Sequence, residues 1–292
     1  MSWFALVLVF LSATIHAFWN LLAHSQKVNG TLLLRFHIIT GLVGVIPALI
    51  PEFQGDSFPA TVWLLVILTG LFQSFYFLGL MMGYRHGNFS IVYPVARALP
   101  ILFLAFFDIG RGRFPSILGW LGIIFIIIGC ILAPIKSLRT IKLSDYWNPS
   151  TIWILVIMSA TVAYTATDKL AAEILTPGAA TSARYALFQA IFTVPFLWIV
   201  LRLSGEPLPA PQGIATWKFP ALFAIFVFTS YWLMLWAFQL EPYISYLSAM
   251  RQFSLVIGVI LAAVVLREDV PKMRIFAAAI IVLGMICISQ AR

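Results

Sequence analysis

Asn88 to Phe107 reads NFSIVYPVARALPILFLAFF, an apolar run of membrane-spanning length with a single arginine, Arg97, near its middle. Insertion scales put an arginine there at roughly +2.5 to 3.5 kcal/mol, so such a side chain faces the protein interior or a wet cavity and marks a functional site by default. The pattern returns in Pro242 to Leu266, PYISYLSAMRQFSLVIGVILAAVVL, where Arg251 sits just short of the middle.

Composition agrees with a bilayer chain: 62% of the residues are hydrophobic, 15% aromatic and only 10% charged. The mean hydropathy is +1.01, far outside the soluble globular range. The apolar residues come in blocks rather than stripes. In order they are Trp3 to Ala23, Thr31 to Ile50, Ala60 to Tyr84, Phe89 to Phe107, Phe114 to Ile135, Thr151 to Thr167, Ala179 to Leu203, Phe219 to Leu240, Tyr243 to Leu266 and Ile275 to Ser289. Most are near the ~20 residues a helix needs to cross a ~30 Å hydrocarbon core. No segment alternates as a transmembrane strand does. The expectation is an all-α integral membrane protein with ten transmembrane helices.

Polar or Pro/Gly-rich connectors fall between the blocks, the longest being Pro51 to Pro59, Ile135 to Ser150 and Ser204 to Thr216. The first block lacks a basic leader and a cleavage site, and reads as a retained span. With both termini outside, ten basic residues face the cytoplasm: Lys27, Arg85, Lys136, Arg139, Lys142, Arg202, Lys218, Arg267, Lys272 and Arg274. Four (Arg111, Arg113, Lys169, Arg292) lie opposite and four (Arg35, Arg97, Arg184, Arg251) sit inside helices, which accounts for all 18. The positive-inside bias favours this orientation in the cytoplasmic membrane. The dispersed net charge of +8 needs no nucleic-acid partner. Cys130 and Cys287 lie within apolar blocks and read as small core residues, with no metal site or disulfide.

The chain repeats internally. Leu8 to Ile15 is LVFLSATI and Leu155 to Val162 is LVIMSATV, sharing the costly Ser-Ala-Thr. Trp63 and Trp217 are 154 residues apart (217 − 63), as are Arg97 and Arg251 (251 − 97). Arg35-Phe36 and Arg184-Tyr185 match at the starts of blocks two and seven. The reading is two five-helix repeats, 1–135 and 150–292, joined by a basic loop over 136–149. Five is odd, so the second repeat enters the membrane inverted, and the two surround a central cavity near the midplane.

At this point the chain resembles the ten-helix, EamA-type members of the drug/metabolite transporter superfamily. The residues that carry the likeness are His16-Ala17-Phe18-Trp19-Asn20, Arg35-Phe36, Tyr93-Pro94-Val95-Ala96-Arg97, Arg251-Gln252-Phe253-Ser254 and Leu266-Arg267-Glu268. The resemblance implies a transport fold with spans one, three, four, six, eight and nine lining the path. Family substrates range over amino acids, nucleotide sugars, sugar phosphates, amines and drugs. Members that carry phosphorylated sugars hold the phosphate with basic residues on spans four and nine, the places of Arg97 and Arg251. Small multidrug relatives couple protons through a glutamate in span one, where this chain has no acid.

Read from the residues alone, Ser90, Tyr93 and Arg97 share a face of span four, and Ser248, Arg251 and Ser254 share one of span nine, with Gln252 beside them. Span one shows Ser12, His16 and Asn20, and span six shows Thr161, Thr165 and Asp168. Two planar guanidinium forks facing one cavity suit a carboxylate or phosphate between them. The alternative is that they bond carbonyls freed by Pro94 and Pro100, or cross-link helices. The candidate substrate-binding set is Arg97, Arg251, Tyr93, Ser248, Gln252, His16, Asn20, Trp19, Gln73, Tyr164 and Tyr231. Trp232, Trp236, Tyr76 and Tyr246 are further possible walls, and Arg35 and Arg184 read as interfacial anchors that snorkel. No intramembrane carboxylate is expected to neutralise Arg97 or Arg251.

The function these features favour is secondary transport of a small anionic or zwitterionic organic metabolite by alternating access. A flippase for an amphiphilic or lipid-linked anion is the alternative. A membrane enzyme is the weaker one, since no HExxH, carboxylate pair or Ser/His/Asp face can be assembled. No phosphate-binding glycine loop is present, so gradient-driven or exchange transport without a cofactor is expected. The partners would be a small-molecule substrate and membrane lipid, with the chain a monomer or homodimer. A periplasm-active reporter fused after Arg292 should give signal and a cytoplasm-active one none; the reverse would overturn the orientation and leave the helix count untouched.

Overall fold

The computed structural model describes residues 1–25, 29–85, 89–133, 149–206, 213–265, 267 and 270–291, apart from the side chains of 21–25, 84–85, 89–95, 149–150 and 214–215. All regular structure in these residues is helical: α1 Trp3–Ser25, α2 Gly30–Phe53, α3 Ala60–Arg85, α4 Phe89–Gly110, α5 Ile117–Leu132, α6 Pro149–Ile174, α7 Ala179–Leu203, α8 Lys218–Leu240, α9 Ile244–Met250, α10 Phe253–Val264 and α11 Lys272–Gln290, with a 3₁₀ turn at Ile214–Trp217. A helix satisfies its backbone within one segment, as hydrocarbon requires. Among the described residues, eight stretches are long and apolar enough to cross a membrane, with α9 and α10 counted as one; α5 is apolar but shorter.

The ends carry their own signals. The Asn29 side chain caps α2 by accepting from Leu32 N at 2.9 Å, and Ser116 caps α5, each supplying one of the donors' missing partners. Side chains such as Leu42, Val43 and Ile46 stand exposed on the outer surface, which an apolar solvent accepts.

The most extensive packing joins α1–α5 to α6–α11: α3 lies on α6 and α7, α1 on α8, α2 on α7 and α5 on α11. The α5/α11 contact is the closest. A Cβ on Gly122 would stand 2.6 Å from the Gly284 carbonyl oxygen, and one on Gly284 would stand 2.7 Å from the Gly122 carbonyl oxygen. Only glycine permits this mutual approach of two backbones, which replaces the hydrophobic driving force absent between helices in lipid. On the other side of the core, Ser12 Oγ donates to Ser230 O at 2.6 Å and Ser230 Oγ donates to Ser12 O at 3.0 Å, clasping α1 to α8.

The ninth span corrects the expectation of a continuous helix. Gln252 N bonds Ala249 O at 3.0 Å, Ser254 N bonds Arg251 O at 3.2 Å and Leu255 N bonds Gln252 O at 2.8 Å. These are i→i−3 bonds, so α9 and α10 are joined by a tight 3₁₀ turn at Arg251-Gln252. Lys169 is corrected too, standing inside α6 and buried rather than in a loop.

Gly122→Leu should lower the melting temperature of the detergent-purified protein, costing about 1–3 kcal/mol or more because backbone cannot yield as a side chain does. Gly258→Leu, with nothing within 4 Å of its added Cβ, should leave it unchanged within error.

Candidate functional site

Two adjoining compartments lie between the helices. The first is aromatic, lined by Trp19 on α1, Phe36 and His37 on α2, Gln73, Tyr76 and Phe77 on α3, and Phe223 and Phe228 on α8, among others. The second is more basic and hydroxylic, lined by Arg97 on α4, Thr161 and Thr165 on α6, and Ser248 and Gln252 on the ninth span. His16, Tyr76, Tyr164, Tyr231 and Arg251 line both, so they form the wall the two compartments share.

The arginines reach across the molecule. Arg97 Nη2 donates to Ser254 Oγ on α10 at 2.9 Å. Arg251 Nη2 lies 3.4 Å from His16 Nδ1 on α1, and Trp19 Nε1 donates to the same nitrogen at 3.0 Å. Guanidinium and indole N–H groups only donate, so Nδ1 is an acceptor and His16 is neutral, carrying its hydrogen on Nε2. The Arg97 bond cross-links α4 and α10. Two polar atoms at the site, Arg251 Nε and Gln252 Oε1, are buried and have no hydrogen-bond partner among the described residues. A buried donor and acceptor left open cost about 1–3 kcal/mol each unless water or a ligand meets them. The 3₁₀ turn presents both, because it frees the Ser248 carbonyl, to which Gln252 Nε2 donates at 3.3 Å.

Of the expected site residues, Arg97, Arg251, Ser248, Gln252, His16, Trp19, Gln73, Tyr164 and Tyr231 line the compartments. Asn20 is not among the lining residues; its Nδ2 donates to His16 O at 2.9 Å on its own helix. The Tyr93 and Ser90 side chains lie outside the described residues. Tyr76 does line the cavity, whereas Trp232 donates to Ala179 O at 2.8 Å and Tyr246 accepts from Ser116 N at 3.2 Å, both away from it. The interfacial arginines are buried rather than snorkelling. Arg184 bonds Asp56 Oδ2 at 2.8 Å and lies over the Phe58 ring, while Arg35 reaches Thr216 O at 3.4 Å beside Trp217.

One intramembrane carboxylate lies in the neighbourhood of Arg251 without forming an ion pair with it. Asp168 on α6 is fully buried, accepting from Thr69 Oγ1 at 2.6 Å, Tyr185 OH at 3.0 Å and Tyr231 OH. Its sequence signal was its place one turn beyond Tyr164 and Thr165 on the polar face of α6. Of its partners, Tyr231 on α8 stood in the expected set, whereas Thr69 on α3 and Tyr185 on α7 carried no such signal.

The end of the molecule that holds Ser2 is crossed by ion pairs and hydrogen bonds between helices. Glu173 on α6 pairs with Arg111 at 2.6 Å, with Arg113 and with Lys169 at 3.3 Å. Arg113 also donates to Pro242 O, and Lys169 to Phe238 O and Glu241 O. Asp108 on α4 accepts from Ile244 N, Ser245 N and Ser245 Oγ, capping α9 from another helix, and Glu241 accepts from Ser2 N.

Residues 149–290 match the model of the EamA-like transporter family, in line with the resemblance read from the motifs. A solved structure titled "Crystal structure of protein" superposes with a TM-score of 0.68 over 98% of this chain and 97% of that one, at 17% identity, which speaks to the fold alone. No curated protein matches the chain.

Glu173→Gln should loosen the end that holds Ser2 without unfolding the protein. Glu173 is partly exposed, so the loss is about 1–2 kcal/mol, read by hydrogen-exchange mass spectrometry as roughly tenfold faster exchange in 108–116 and 238–246.

Proposed function

We propose that this chain, whose second half matches the EamA-like transporter family, is a secondary transporter that carries a small organic anion or zwitterion across the cytoplasmic membrane by alternating access. One observation carries the reading: two arginines, drawn from α4 and from the ninth span, border the same cavity, and beside them Arg251 Nε and Gln252 Oε1 stay open among the described residues. An anionic group between the forks meets the open donor and offsets two charges that lipid penalises. A zwitterion's ammonium or a hydroxyl suits the open Gln252 acceptor. The aromatic compartment next door takes the organic body, so head and body are recognised by different walls.

Inverted repeats are part of the proposal, with 1–135 and 150–292 as the units. Exchanging α1 with α6, α2 with α7, α3 with α8, α4 with the ninth span and α5 with α11 turns the α3/α6 contact into α8/α1, α4/α6 into α10/α1 and α3/α7 into α8/α2, and each of these contacts exists. The reciprocal Gly122/Gly284 approach supports the same two-fold relation. On this reading the ionic end described above is the closed gate of one access state.

Thermal-shift titration tests the site. Benzoate, phenylphosphonate and aromatic and aliphatic amino acids are screened against the purified protein, since only a ligand that binds the folded state raises its melting temperature. Arg251→Ala should abolish the response to an active compound while the apo protein still folds, and Arg97→Lys should weaken it by about 1–3 kcal/mol through loss of the planar fork. If both variants keep the full response, or lose folding instead of the response, the arginines are structural and the anion reading fails.

A further inference from the structure

Among the described residues, two carboxylates inside the helices are fully buried, and they are bonded by different chemistry. Asp108 accepts two backbone N–H groups and one hydroxyl. An N–H group only donates, so a proton added to Asp108 strands at least one of its partners. Asp168 accepts hydroxyls alone: Thr69 and Tyr185 on Oδ1, and Tyr231 on Oδ2. A hydroxyl both donates and accepts. A proton on Asp168 Oδ2 can therefore be donated to the Tyr231 oxygen while the Tyr231 hydrogen turns to the cavity that this side chain lines, so the bond survives with its direction reversed.

The surroundings fit a site that takes and releases a proton. From α3 and α7 the groups facing Asp168 are Thr69 and Tyr185; from α8 it is Tyr231; on α6 itself Tyr164 stands one turn away, and Arg251 acts on the carboxylate through space from the ninth span. Its neighbour Lys169 is directed away, to Phe238 O, Glu241 O and Glu173. Tyr231 lines both compartments, so its hydroxyl connects the cavity to Oδ2. His16, the other titratable group on the shared wall, is committed as an acceptor to Trp19 and Arg251.

We propose that Asp168 is the proton-binding site of the carrier, with Tyr231 as the relay between it and the cavity. The inference rests on the transport reading and adds the coupling ion to it. When the proton arrives from cavity water, the carboxylate loses its charge and its three charge-assisted bonds become neutral ones of roughly half the strength. Those bonds hold α3, α7 and α8 to α6, so proton binding loosens the core at the place where the helices surround the cavity. Loss of the negative charge also leaves Arg251 without its nearby compensation, which raises the demand for an anion in the cavity.

Infrared difference spectroscopy of the purified protein, titrated from alkaline to acid buffer with no organic compound present, tests this directly. The expected result is a protonated-carboxyl band that appears reversibly while the protein stays folded and is absent in Asp168→Asn. Tyr231→Phe keeps the carboxyl and removes the partner of Oδ2, so its band should persist and move to higher wavenumber; this variant serves if Asp168→Asn does not fold. A band that survives in Asp168→Asn overturns the proposal. So does an Asp168 that keeps one protonation state until the protein unfolds, or a band that Tyr231→Phe leaves in place. Because the titration uses protons alone, its failure is separable from that of the anion site, which is read by ligand response in the arginine variants.

Discussion

Inside a bilayer there is no water to complete a polar group, so each charge that a sequence places there must be met by the protein itself or by what it binds. The described part of this molecule is arranged by that constraint. Arg184 is met by Asp56 and a phenyl face, Lys169 by two carbonyls and a glutamate, Asp108 by a helix start, Asp168 by three hydroxyls. Arg251 is held more loosely: one edge of its guanidinium rests near His16, and its Nε, like those of Arg35 and Arg184, has no acceptor among the described residues. What sets it apart is its place on the cavity wall, beside the open Gln252 Oε1.

The same constraint explains what could be read from the sequence. Blocks of apolar residues announce helices in lipid more plainly than any stripe announces one in water, so the elements and most of their bounds were legible. The two arginines were legible for the opposite reason, as violations within those blocks. Contacts that depend on three dimensions were not. Asp168 stood in view on the face of α6, but the hydroxyls that complete it sit at 69, 185 and 231, on three other helices. The break at Arg251-Gln252 left no proline or glycine to betray it.

Helical periodicity also promised more than it could deliver along span one. Ser12, His16 and Asn20 share a face, yet they are spread over about 12 Å of rise, and of the three His16 alone is among the cavity-lining residues. Ser12 is spent on the α8 seam, His16 stands in the shared wall, and Asn20 bonds its own helix. A stripe identifies the inward face; it does not say which level of that face is wet.

The 3₁₀ turn in the ninth span separates two rods that have different anchors. The short rod α9 is pinned at its start by Asp108, while the long rod α10 carries Ser254, the hydroxyl that Arg97 grips. On the transport reading proposed above, a swing of the long rod about Arg251-Gln252 would spare the pin, change the hold of Arg97 and leave Arg251 beside His16, so cargo held by both cations would be let go one hand at a time, with a direction built into the sequence of release.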